Sequence, residues 1–414
     1  MTDSPESLAD RLRSLGVNTG ASSIKSRVIQ KYRIEDVIQG NFELSTYGDI
    51  FVRKVLVDNA YTHGNTIFDN ASISKRLIQW SSKSNKSVDL SSILFLDTET
   101  TGLSGGTGTL PFLIGVGKFT SEGFLTSQIF IRNPAEERAQ LEQLNKYLVG
   151  IEAIATYNGK AFDIPILKTR YVINGFQSPF ENLLHFDLLP LSRRIWKRRL
   201  ESRSLKDLET NVLEFSRNQM EVPGWEIPVI YFNYLRSGDA RPLEGVFNHN
   251  AIDIQSLAAI FLVLNKLAAN PETKSIENTT DILSLAIQLE TSGEIDKALS
   301  LYEQLLSQEL PDRLFTELQL RYSRILKRNG DFEKAANVLY HKEELADIQV
   351  MIQLAKVLEH QQKNLDAALR YTENALEILE SHATDLSLTT YQFQKTDLEK
   401  RKSRLIQKLL SSNK

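Results

Sequence analysis

Two carboxylates close an apolar run in the segment Ile93, Leu94, Phe95, Leu96, Asp97, Thr98, Glu99. The run reads as a buried strand that carries an acid pair to its end. Residues i and i+2 of a strand project from one face. Two carboxylates held side by side repel each other unless a cation lies between them. Hard oxygen ligands of this kind suit Mg²⁺ or Mn²⁺. Asp97 and Glu99 are therefore candidate ligands of a divalent metal.

Two further segments carry polar groups in suggestive places. The loop Tyr157, Asn158, Gly159, Lys160, Ala161, Phe162, Asp163 precedes Ile164 and Pro165. Asp163 can cap a helix with Pro165 in its first turn, and it can also face a metal from a strand's C-terminal edge. In the segment from Asn248 to Leu257 the apolar residues recur with helical period. His249 and Asp253 are i and i+4, so they share one helix face, which could equally be a solvated polar face.

A basic run lies between these segments: Arg193, Arg194, Lys197, Arg198, Arg199, Arg203 and Lys206, with Trp196 among them. It is a candidate phosphate-binding surface on which Trp196 could stack on a base. The alternative is a solvated helix whose Trp packs inward. Lys160 could touch a phosphate or remain a solvated loop lysine. The glycines between 102 and 108 lack a P-loop's Gly-Lys-Ser/Thr ending and suggest a flexible hairpin turn beside the metal site. Asp187 reads as a structural cap, and His63 has no assigned role.

The elements that must position these groups fall into three stretches. Residues 1–89 form an N-terminal extension that is partly strand-rich, with a short helical run over 8–15 and a polar linker over 81–89. Residues 90–268 alternate strands and helices, which indicates an α/β domain. Strands are expected over 110–119, 124–132 and 151–157, and helices over 134–149 and from Asp163. Residues 275–412 are rich in helix formers and carry a repeat, in which Ala298, Ala335 and Ala368 occupy equivalent places. Their spacing averages close to the ~34 residues of tetratricopeptide units, the alternative being a generic helical bundle. Gly293 and Gly330 mark the turns of two copies, while Lys363 stands where the third would have glycine.

The 414 residues, 41% hydrophobic and 24% charged, are ordinary for globular protein. No apolar run approaches a membrane span, no secretion signal is visible, and no membrane partner is expected. The absence of cysteine removes disulfides, thiolate metal sites and cysteine nucleophiles, and a cytoplasmic location is the default. A net charge of −3 leaves any attraction for nucleic acid to a local patch.

Asp97, Glu99, Asp163 and Asp253, in that order and context, resemble the motifs of the DEDD superfamily of 3′→5′ exonucleases, which have a ribonuclease H-like fold. The segments after Glu99, around Asn158 and around His249 look most like the YprB-type group, in which such a domain often precedes tetratricopeptide repeats. The resemblance implies an α/β ribonuclease H-like domain, a mixed sheet flanked by helices, followed by an all-α repeat domain. It also implies a two-metal mechanism, with Asp97 bridging the Mg²⁺ or Mn²⁺ ions, Glu99, Asp163 and Asp253 completing their shells, and a neutral His249 taking a proton from water. Three residues separate His249 from Asp253, the spacing of the superfamily's Tyr subtype, so the role of His249 is open. The expected function is hydrolysis of single-stranded DNA or RNA ends, with the repeats recruiting a protein partner. The alternatives are a nucleic-acid-binding or scaffold protein with a slow or silent nuclease-like domain, and a phosphohydrolase acting on nucleotides.

Overall fold

The computed structural model describes residues 32–82, 84–102, 108–217, 222–272, 276–341, 347–381 and 387–412. The helical run expected over 8–15 and the core of the glycine turn, 103–107, lie outside them. The chain divides into two compact units. One holds the described residues up to Leu191 together with Arg203–Ala269, and the other holds Ser192–Ser202 and the residues after Ala269.

Among its described residues the first unit has nine strands: β1 (Asn41–Ser45), β2 (Gly48–Asp58), β3 (Thr62–His63), β4 (Thr66–Ile67), β5 (Ile93–Thr100), β6 (Pro111–Phe119), β7 (Gly123–Phe130), β8 (Ala153–Thr156) and β9 (Leu184–Asp187). Seven of them form one sheet in the order β1-β2-β7-β6-β5-β8-β9, and β3 and β4 pair separately. From β1 to β5 neighbours are antiparallel, whereas β5, β8 and β9 are parallel. The sheet extends beyond the expected boundary at residue 90. β2 pairs with β7 along its length, from Phe51 opposite Phe130 to Asp58 opposite Gly123, so the strand-rich part of the extension belongs to this sheet.

The helices of this stretch are α1 (Ile34–Val37), α2 (Lys75–Ser82), α3 (Glu137–Leu148), α4 (Asp163–Ile173), α5 (Leu188–Trp196), which passes into the second unit at Ser192, α6 (Leu205–Asn211), α7 (Ile227–Ser237) and α8 (Leu243–Ala269). Side-chain alternation along β5 sorts the layers. Leu94 and Leu96 join a core cluster with Ala139, Leu141 and Leu144 of α3 and with Ile164 and Leu167 of α4. Phe95 points the other way, its ring 5.5 Å from that of Phe261 on α8. Asp97 and Glu99 share the Phe95 face by their spacing. α8 alone is long and apolar enough among the described helices to cross a membrane, yet most of it is buried. It packs on β5, β6 and β7, which accounts for its apolar character.

In the second unit the helices are α9 (Thr279–Thr291), α10 (Ile295–Leu306), α11 (Asp312–Arg328), α12 (Phe332–Tyr340), α13 (Ile348–Val357), α14 (Leu365–Ser381) and α15 (Leu388–Ser412). α9 packs on α10, α11 on α12 and α13 on α14. Ala298, Ala335 and Ala368 are fully buried, where their small side chains allow close helix approach. Gly293 and Gly330 adopt left-handed φ values of +86° and +83° in the turns. Lys363 takes the same region at +58°, so the third turn keeps its shape without glycine.

Candidate metal centre

β5 delivers its acids as its sequence requires. Of its eight residues only Asp97 and Glu99 are not buried. Asp97 lies opposite Gly115 of β6, and Asn250 of α8 donates from Nδ2 to Asp97 Oδ2 at 3.0 Å. Asn250 is itself held by Gln128, whose Nε2 donates to its Oδ1 at 3.0 Å. Asp97 is therefore oriented from beneath by a buried amide pair.

Asp163 is the first residue of α4 rather than its N-cap, a place that falls to Phe162. Its carboxylate turns to the strand instead. Thr98 Oγ1, on the opposite face of β5 from Asp97, donates to Asp163 Oδ1 at 2.6 Å. The loop before α4 is shaped by its own residues. Asn158 is left-handed at φ +65°, and a Cβ on Gly159 would lie 2.4 Å from Thr156 Oγ1. Asp187 at the end of β9 accepts from the amides of Asn158, Lys160 and Leu189, so it ties this loop to the start of α5.

α8 supplies His249 and Asp253 one turn apart, with His249 Nε2 3.4 Å from Asp253 Oδ2. Glu99, His249 and Asp253 each offer a ligand atom, all within 4.8 Å of one another. The electrostatics tie in the other two acids. Burial raises the Asp97 carboxyl well above its ordinary range, and the neighbouring Asp253, Asp163 and Glu99 raise it further. Glu99 is pushed up to about 7, chiefly by burial and then by Asp253 and Asp163 against the pull of His249. Asp163 is raised to about 6 by burial, although Thr98 opposes the shift. Three carboxyls that resist ionisation together are what a divalent cation relieves, so the donor set fits one.

Asp253 behaves differently. Burial disfavours its charge, but His249 and Arg217 outweigh burial and hold it below the ordinary carboxylate range. Burial lowers His249 as well, yet Asp253 and Glu99 carry it up to about 9. Before any metal binds, His249 is therefore a cation at neutral pH. The expectation of a neutral imidazole concerns the metal-loaded centre, where the negative charge that raises His249 would be offset. Arg217 was not foreseen: its guanidinium pairs with both Asp253 and Glu209. An arginine in an irregular loop has no periodicity or motif to announce it.

The basic run divides. Arg193 and Lys197 are exposed and Arg194 is half-buried. Trp196 is 1% exposed, which corrects the expectation that it stacks on a base. Arg198 makes a two-pronged contact with Glu317, at 3.0 and 2.7 Å, and Arg199 pairs with Asp281 at 3.2 Å. Those two cations are engaged within the second unit, which corrects their reading as phosphate contacts. Lys160 is exposed, and Lys206 lines a cavity of about 330 Å³ with Arg217, His249 and Asp253. His63, which had no assigned role, is fully buried and bonded through Nε2 to Ser256 Oγ at 2.8 Å.

Comparison with known proteins agrees with this architecture. The RNase_H superfamily model matches residues 94–265. The chain is 29% identical over 337 residues to the uncharacterized protein YprB of Bacillus subtilis (strain 168), an alignment covering 78% of this chain and 80% of that protein. The family-model match and this likeness support a YprB-type ribonuclease H-like domain that includes the acid-bearing strand β5 and most of the helix α8, followed by an all-helical region.

Proposed function

We propose that this protein is a metal-dependent 3′→5′ exonuclease acting on single-stranded DNA or RNA ends. The observation that carries the reading is the convergence of Glu99, His249 and Asp253 within 4.8 Å at the end of β5, with Asp97 on the same strand face and Asp163 bonded to Thr98 between the two strand acids. Asp97, Glu99 and Asp163 would hold Mg²⁺ or Mn²⁺, with Asp253 as the fourth carboxylate. Divalent cations there would polarise the phosphoryl group and ease ionisation of an attacking water. Asn250 and Thr98 keep the Asp97 and Asp163 carboxylates aimed. His249 can accept a proton only once the negative charge that keeps it protonated has been offset. Lys206, which lines the cavity with His249 and Asp253, joins Lys160 as a proposed phosphate contact of the first unit, and Arg193, Arg194 and Lys197 remain proposed contacts of the second. We further read the helix pairs as tetratricopeptide-like units that present a groove to a protein partner, in a cytoplasmic protein.

End-labelled DNA and RNA oligonucleotides, incubated with Mg²⁺ or Mn²⁺, test the activity. Stepwise shortening from the 3′ end, abolished by Asp97→Asn and by chelation, is the expected result. Substrates that stay intact with the folded protein under both metals would remove the nuclease reading. One observation favours a second reading, a slow or silent nuclease-like domain that binds nucleic acid: Arg217 already neutralises Asp253.

A further inference from the structure

Arg217 stands in an unusual place for a cation. Its side chain is 6% exposed, beside Glu209 at 1% and Asp253 at 16%. The Nε of Arg217 donates to Glu209 Oε2 at 2.6 Å, and its Nη2 reaches Glu209 Oε1 and Asp253 Oδ1. Glu209 lies on α6, so helix and loop together aim the guanidinium at α8. The bidentate grip of Glu209 fixes the planar fork and leaves one edge for Asp253. A carboxylate held in this way already has the charge partner that a divalent ion would supply.

We infer that Arg217 is a resident counter-ion of Asp253 and competes with a divalent cation for that carboxylate, so that Glu209 and Arg217 together set how tightly the centre is loaded. The inference rests on the metal-dependent reading above. The geometry gives the competition a direction. One Asp253 oxygen is occupied by the guanidinium and the other lies 3.4 Å from His249 Nε2, so a cation meets Asp253 with its charge already partnered. The cavity that Arg217 helps to line, about 330 Å³, offers the guanidinium somewhere to go.

The test is Mn²⁺ binding, followed by titration calorimetry and by the metal-dependent rise in melting temperature, neither of which needs turnover. The informative variant is Glu209→Gln with Arg217→Gln. It removes both charges together and leaves the net charge unchanged, so a gain cannot be assigned to bulk electrostatics. We expect this double variant to bind Mn²⁺ at least about tenfold more tightly than the unaltered protein, the equivalent of ~1.4 kcal/mol. Glu209→Gln alone should bind more weakly, because Arg217 is then left to Asp253. Unchanged or weaker Mn²⁺ binding by the folded double variant overturns the inference while leaving the metal site in place. No binding by either protein removes both the inference and the proposed function. Binding by the double variant alone supports the inference in its strongest form.

Discussion

Gly115 and Asn250 meet where a side chain on the strand would not fit: a Cβ on Gly115 would lie 2.2 Å from Asn250 Oδ1. Gly115 stands directly across the ladder from Asp97, and Asn250 is the residue that bonds the Asp97 carboxylate. The bare backbone of β6 thus admits the amide that orients the acid on β5. Gly115→Ala should cost about 1–3 kcal/mol by overpacking. Asn250→Ala removes a partner from both Asp97 and Gln128 and should cost a similar amount. In the double variant the added methyl occupies the space the amide left, so its cost should fall below the sum of the two. Urea denaturation of the three variants measures this, and strict additivity would contradict the close approach.

Asp97 should cost stability in the metal-free protein. The folded-state pKa values of Asp97, Glu99 and Asp163 are raised, the last two to about 7 and about 6. Unfolded carboxyls titrate near pH ~4. The folded state therefore binds more protons, and the stability these groups contribute in acid is lost as pH rises through the folded values. Asp97→Asn should raise the melting temperature of the metal-free protein more at pH 8 than at pH 5. A saturating divalent cation should shrink or reverse that gain. No gain at pH 8 without metal would mean that the acids do not repel one another.

Much of this site is legible in the chain because its residues obey a period. Asp97 and Glu99 follow from strand alternation, and His249 and Asp253 from a helical turn. What escapes has no period. β9 is four residues long, and its acid, Asp187, organises the loop at Asn158 rather than only the helix that follows. β1 and β2 read as an extension because sequence alone does not reveal pairing partners, and β2 finds its partner in β7, far along the chain. Arg217 lies outside regular secondary structure, and its importance comes from Glu209 and Asp253, which only the tertiary fold brings to it. The basic run misleads in a similar way, since its charge was visible and the acids that engage Arg198 and Arg199 were not.

Buried His63 and half-buried His185 should make the first unit acid-sensitive. Burial lowers His63 to about 4, with Arg217 adding to the effect, and burial lowers His185 to about 4 with help from Lys160 and Lys168. Unfolded histidine titrates near pH ~6.5. Here the unfolded state binds more protons, so the contribution is complete above pH ~6.5 and is lost as pH falls toward the folded values. Its ceiling is about 3 kcal/mol per residue. The carboxyls above act in the opposite sense, so the comparison belongs in the Asp97→Asn background. There, adding His63→Gln should flatten the fall in denaturation midpoint between pH 7 and pH 5. An unaltered slope would place the acid sensitivity elsewhere.

Arg198 and the pair Arg193 and Lys197 should separate structure from binding. Arg198 is engaged by Glu317, which also accepts from Arg321 Nε at 3.0 Å. Arg198→Ala leaves a half-buried carboxylate with fewer donors and should cost the second unit about 1–3 kcal/mol. Its effect on oligonucleotide affinity should be slight. Arg193→Ala with Lys197→Ala touches exposed side chains, so stability should change by no more than about 0.5 kcal/mol. If that surface meets phosphates, the same double variant should bind single-stranded oligonucleotides more weakly and with a shallower dependence on salt. Fluorescence anisotropy across a salt series and thermal melts on the same preparations give both readouts. Should Arg198→Ala instead flatten the salt dependence at unchanged melting temperature, its link to Glu317 would not be what holds it. Should the exposed pair leave the slope untouched, the contact surface would have to be sought at Lys206 and Lys160.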